Sequence, residues 1–162
     1  MPLSRSTQSV VRSRYVRWHD DYVMSARERL RFLRSPVRPA LLATTRKDGR
    51  PHLAPIWYDL DDDGTIVFNT GATSVKGYAI RRDGRVALCV QDPEPPYSFV
   101  MIEGRATWSD DLDEVRRWAT RIGGRYMGQD RAEEYGKRNG VSGELLVRVS
   151  PTHIVAMQNI AE

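Results

Sequence analysis

The sequence is poor in the residues that staple, ligate or anchor a chain. Its 162 residues include one cysteine, Cys89, so an intramolecular disulfide framework is excluded and a reducing cytosol suits the chain. Only three histidines occur, His19, His52 and His153, with no metal-ligand spacing between any two, so no metal site is expected. No apolar run approaches the length of a membrane span, and no secretory h-region follows the N-terminus. The G-x-S-x-G elbow, the P-loop and G-x-G-x-x-G are also missing, which argues against a serine hydrolase, an NTPase and a Rossmann dehydrogenase. The expectation is a cytoplasmic protein with no membrane contact.

What remains is ordinary globular composition, 40% hydrophobic and 28% charged, in a length that suits one domain with its own core. The net charge is +4 and the pI is about 9.5, so an anionic partner is plausible. Arginines cluster at Arg5, Arg12, Arg14 and Arg17 and again at Arg81, Arg82 and Arg85. No nucleic-acid motif accompanies them and aromatics are not interleaved, which argues against nucleic acid, and an acidic small molecule explains the middle cluster equally well. Residues 1–24 read as a flexible basic arm, and residues 25–162 as the domain.

The domain opens with a capping box, Ser25 to Glu28, ahead of a short helix. From Pro39 the apolar period becomes two. Lys47-Asp48-Gly49 and Asp61-Asp62-Asp63-Gly64 supply turns between three strands, which predicts an antiparallel meander. A helix is expected from about Ser74 to Arg82, then strands from Arg85 to Gln91 and from Val100 to Trp108. A helix capped by Asp111 is expected to stop at Gly123-Gly124, and a second to run from near Asp130 to Asn139-Gly140. A last strand, Glu144 to about Met157, is kinked at Pro151. Six strands and few helices predict a mainly β fold, a small antiparallel barrel with short flanking helices. Such a barrel has little interior volume, so its site belongs on the outside or at a subunit contact.

Three stretches could carry chemistry. In Thr70-Gly-Ala-Thr-Ser-Val-Lys76 a strand end feeds a small-residue loop and a helix start, where N–H groups, hydroxyls and one ammonium suit a phosphate. The same residues equally suit an ordinary capped helix. In Pro51-His-Leu-Ala-Pro-Ile-Trp57 the mid-strand Pro55 marks an edge or bulge, and freed backbone groups there could meet the polar edge of a ring. Trp57 could instead be core. Pro93-Glu-Pro-Pro-Tyr97 presents Tyr97 at the mouth of a long strand, facing either an acceptor or a dimer interface.

These stretches resemble a known family. Ala43-Thr-Thr-Arg-Lys-Asp-Gly-Arg-Pro-His-Leu-Ala-Pro-Ile-Trp57, Phe68-Asn-Thr70, Ser74-Val-Lys76, Arg81-Arg-Asp-Gly-Arg-Val86, Pro95-Pro-Tyr97 and Ile102-Glu-Gly104 occur in order. Together they resemble the pyridoxamine 5′-phosphate oxidase-like class of flavin and deazaflavin oxidoreductases, specifically its actinobacterial branch that uses the deazaflavin coenzyme F420 (the B branch). The resemblance implies a six-stranded split β-barrel of the FMN-binding type, assembled as a homodimer with two cofactor sites at the interface. It further implies hydride transfer between reduced F420 and a small organic acceptor, with FMN as the alternative cofactor. A non-enzymatic cofactor-binding protein of the same fold is the other alternative. The residues it assigns to the cofactor are His52, Ala54, Pro55, Ile56, Trp57, Asn69, Thr70, Ser74, Lys76, Gly77 and Arg82, with Tyr97 toward the substrate. No catalytic acid or base is assigned, because the cofactor carries the chemistry. Where relatives often carry Arg-Asn, this chain has Gly77-Tyr78-Ala79.

Overall fold

The computed structural model of the chain describes residues 20–162. The basic arm lies largely outside them, but its last residues do not belong to an arm. Asp20–Tyr22 form a 3-10 turn, Val23 bridges Met157, and Met24 is buried with its N–H on the Ala156 carbonyl at 3.0 Å. The domain therefore begins before Ser25, because the end of the last strand offers those residues backbone partners.

Helix α1 (Ala26–Arg34) starts on the expected capping box. Ser25 Oγ accepts from the Glu28 N–H at 3.2 Å, and the Glu28 carboxylate accepts from the Ser25 N–H at 2.7 Å. The strands are β1 (Ala40–Thr45), β2 (Pro51–Ile56), β3 (Asp59–Leu60), β4 (Ile66–Gly71), β5 (Arg85–Asp92), β6 (Ser98–Ser109) and β7 (Glu144–Met157). Helices α2 (Val75–Arg82), α3 (Leu112–Met127) and α4 (Ala132–Asn139) complete the element list. The architecture is mainly β, one curled antiparallel sheet with flanking helices, of the FMN-binding split-barrel type. It has seven strands instead of six, the extra one being the two-residue β3.

The sheet order is β2-β1-β5-β6-β7-β4-β3. The two turn signals therefore make two separate hairpins, not one meander. β2 and β3 end up at the two free edges although only Trp57 and Tyr58 separate them. The chain leaves the ladder there because the Tyr58 N–H goes to the Tyr126 hydroxyl at 3.2 Å instead of to a strand. A two-residue link between opposite edges forces the sheet to curl, and Leu42, Phe68, Leu88, Val100 and Val147 fill the inside. Pro55 sits on an edge strand, where its missing donor costs no ladder bond. Pro151 sits at the register shift opposite Glu103 and Gly104.

One helix expectation needs correction. α3 does not stop at Gly123-Gly124 but runs through both to Met127. A methyl group at Gly123 would collide with Tyr135 Cβ, so these glycines let α4 approach closely and do not end the helix. Trp108 on β6 and Leu112 at the start of α3 are exposed.

α3 is fastened to the edge strand by charge. Asp59, 8% exposed, accepts from Arg121 Nε at 2.7 Å and pairs with Arg125 at 3.5 Å. Arg125 also donates to the Leu33 and Arg34 carbonyls at 2.8 and 3.1 Å. One arginine thus ties α1, β3 and α3 together.

Candidate cofactor-binding groove

The curl brings the end of β2 opposite the end of β4, and α3 and α4 close over the gap. The result is an open groove of about 670 Å³ outside the barrel. β2 supplies Pro55, Ile56 and the following Trp57, β4 supplies Asn69, Thr70 and Gly71, and α2 supplies Lys76. All of these seven except Gly71 are residues that the resemblance assigns to the cofactor. The opposite wall is new: Ile122, Met127, Tyr135, Arg138 and Asn139 from the α3–α4 region, with Glu144 at the start of β7.

One end of the groove is aromatic. The Trp57 indole stacks on Tyr126 with ring centroids 4.9 Å apart and planes 5° from parallel, and it meets Tyr135 at 5.7 Å, tilted by 50°. Tyr126 is locked in place, its hydroxyl donating to the Arg38 carbonyl at 2.8 Å while accepting from the Tyr58 N–H. Burial pushes the Tyr126 phenol above its ordinary pKa, so it stays neutral. Trp57 keeps 37% of its surface exposed on this rigid backing. A flat ring system of flavin size can lie against such a wall by offset stacking.

The other end is polar. Ser74 Oγ accepts from the Gly77 N–H at 3.0 Å and donates to the Gly71 carbonyl at 2.8 Å, with Thr70 Oγ1 at 3.2 Å. Ser74 thus caps α2 and does not line the groove. Gly77 is buried where a methyl would collide with the Gly71 carbonyl oxygen, so glycine is required for the loop to fold back on the helix start. Lys76 projects into the groove, and among the described residues it forms no ion pair. Asn69 donates from Nδ2 to the Val115 carbonyl at 3.2 Å, and its Oδ1 is buried with no partner among the described residues. A buried acceptor without a donor is costly, and a ligand N–H would relieve it.

Glu144 shares this end. Its partial burial raises the carboxyl pKa, and the charge of Lys76 works against that shift. The folded chain therefore holds the Glu144 proton more tightly than the unfolded one. The resulting stability is fully present below the ordinary glutamate pKa and is lost as pH rises through the raised value. Glu144→Gln should accordingly gain on the natural chain as pH climbs through that window in urea unfolding. A stability difference that stays flat with pH contradicts this.

The remaining candidates lie elsewhere. His52 and Ala54 point to the inner side of β2, short of the groove. Arg82 donates from Nη2 to the Thr45 carbonyl at the far end of α2. Tyr97 is at the opposite end of the sheet, where Phe99 pairs with Met157 and not with the Glu144 end of β7. It is exposed, with a φ of 57° held by its own N–H on the Glu94 carbonyl and the Ile160 N–H on its carbonyl. Sequence reasoning missed the α3–α4 wall because Tyr126 and Tyr135 carry no local signal. Only the packing of helices against the end of β2 gives them a role.

The family model for pyridoxamine 5′-phosphate oxidase matches residues 26–157. The chain belongs to this family. Its pyridoxamine 5′-phosphate oxidase fold also recurs in solved structures. A conserved hypothetical protein from Mycobacterium tuberculosis superposes with a TM-score of 0.77 at 28% identity, over 89% of this chain and 91% of that one. A protein described as an F420 reductase gives 0.60 at 23% identity, over 75% and 92%. An FAD-binding protein from Mesorhizobium loti gives 0.61 at 18% identity, over 83% and 95%. No curated protein matches the sequence. The family match spans every strand and all the groove residues.

Proposed function

We propose that the chain is an oxidoreductase that holds a flat, phosphorylated flavin-type cofactor in the groove, F420 foremost, and transfers hydride between it and a small organic acceptor. One observation carries the reading. A single groove joins a rigid, half-exposed aromatic wall, a buried acceptor at Asn69 and a lysine that forms no ion pair among the described residues. Those features match the ring, the imide N–H and the phosphate of a flavin or deazaflavin. Trp57 would stack on the ring, Asn69 would accept from its polar edge, and Lys76 would hold the phosphate. The bound cofactor supplies the hydride chemistry. The chain contributes position, a water-poor wall and fixed charge. The fold likeness to an FAD-binding protein supports FMN as the second reading. Titrating the purified protein with F420 and FMN separates the two. Sub-micromolar binding of F420 with weaker binding of FMN is the expected result, and the opposite order overturns the assignment.

The reading includes a homodimer. Strand register aligns Pro55, Leu41, Cys89, Met101 and Val155 in one row across five strands on the outer face of the sheet. Leu41, Met101 and Leu53, a neighbour on the same face, are 39%, 36% and 63% exposed. A second copy is the fitting occupant, because the row runs into the groove at Pro55 and a partner there would close it. Met101→Glu would put a charge in that contact. It should shift the protein from dimer to monomer in light scattering and weaken cofactor binding with it. A variant that stays dimeric places the interface elsewhere.

A further inference from the structure

The groove leaves one polar cluster unused. At the turn end of the β1–β2 hairpin, Thr44 pairs directly with His52, and Arg46 follows Thr44 by two residues, its N–H on the Arg50 carbonyl at 2.9 Å. Directly opposed cross-strand residues hold their Cβ atoms about 5 Å apart. Each of the three has a buried polar atom with no partner among the described residues: Thr44 Oγ1, Arg46 Nε and His52 Nδ1. Thr44 is 4% exposed, so its hydroxyl draws little on bulk water for a partner. Native interiors rarely tolerate one such atom, and three from adjacent positions need a common cause.

All three can donate a hydrogen bond, and one belongs to a permanent cation. The nearest acid on the turn, Asp48, is already engaged by the Arg50 N–H and Nε at 3.1 and 2.8 Å. A water can bridge some of these groups, because the Thr44 hydroxyl and a neutral His52 nitrogen can also accept, but it brings no charge to meet the guanidinium. An oxyanion does. Arg82, held on the Thr45 carbonyl, adds a second guanidinium at the same strand end.

We propose that Thr44, Arg46 and His52 form an anion site for a carboxylate or phosphate group, separate from the Lys76 end of the groove. His52 therefore binds an anion instead of orienting a ring. The site lies on β2 four residues from Ile56, about 13 Å at the usual rise of a strand. Two sources can supply the anion: the acidic tail of a cofactor seated in the groove, or a free anion. The first source rests on the function proposed above, and the second does not.

The test follows the His52 ring nitrogens by NMR in the full-length protein, titrated with inorganic phosphate, with F420 and with FMN, which has no acidic tail. A saturable shift with phosphate, weakened at least tenfold in Arg46→Met and in Thr44→Val, is expected. Thr44→Val preserves shape and removes an unpartnered hydroxyl, so it keeps the test open if Arg46→Met fails to fold. In Lys76→Ala the phosphate response at His52 should persist. Its loss there would mean that the anion sits in the groove, which overturns a separate site. A shift with F420 but not with FMN identifies the tail as occupant, and a shift with phosphate alone identifies a free anion. Both support the site even if the groove holds neither cofactor. No saturable shift with any of the three probes, or one unchanged in both variants, overturns it.

Discussion

Lys76→Ala should weaken binding of the phosphorylated cofactor roughly tenfold to a hundredfold, as expected for about 1.5–3 kcal/mol in one charge-assisted contact. The fold should hardly change, because Lys76 makes no ion pair among the described residues and α2 is capped by Ser74 without it. Electrostatics sharpens the expectation. Lys76 is the cation that offsets Glu144, so removing it leaves a lone carboxylate beside the place where the phosphate would sit. Lys76→Arg should retain most of the affinity, since charge matters more here than the shape of the donor. Fluorescence titration reads all of this. Unchanged affinity in Lys76→Ala would sink the phosphate assignment and leave the aromatic wall and the Asn69 acceptor to carry the cofactor reading.

Asp59→Ala should cost about 3 kcal/mol of folding stability, near the low end for breaking a buried ion pair. The low end applies because Arg121 remains 47% exposed and recovers solvation, whereas Arg125, 11% exposed, is left without a carboxylate. The same change would free α3 from β3. Ile122 and Met127 on α3 line the groove, so cofactor affinity should fall together with stability. Asp59→Asn should lose less, because an amide oxygen can still accept from Arg121. Urea unfolding followed by Trp fluorescence distinguishes these outcomes. A loss within the ±0.5 kcal/mol range of surface substitutions would show that the network does not hold α3.

Neither effect is equally visible in the residues. Lys76 stands out because a strand, a small-residue loop and a helix start make a local pattern, and local patterns survive in the sequence. Asp59 does not. It is one acid beside the Asp61–Asp63 turn, and its importance comes from Arg121 and Arg125, more than sixty residues away. Trp57 is intermediate. Its place after Pro55 marks the edge of a strand, but its partner Tyr126 is known only once α3 has packed. Gly123 and Gly124 show the opposite error. Read locally they end a helix, yet close approach of Tyr135 makes them helix interior.

Local chemistry in the sequence fixes the capping box at Ser25, the turns at Gly49 and Gly64, the two-residue alternation of the strands and the cradle from Thr70 to Lys76. Each depends on backbone preferences or side-chain spacing over a few residues. The tertiary structure alone decides that β2 and β3 lie on opposite edges, that the sheet curls until Pro55 faces Thr70, and that α3 and α4 wall the groove. Those facts depend on how surfaces far apart in the chain bury one another. No periodicity encodes the partner of a surface, only that it needs one.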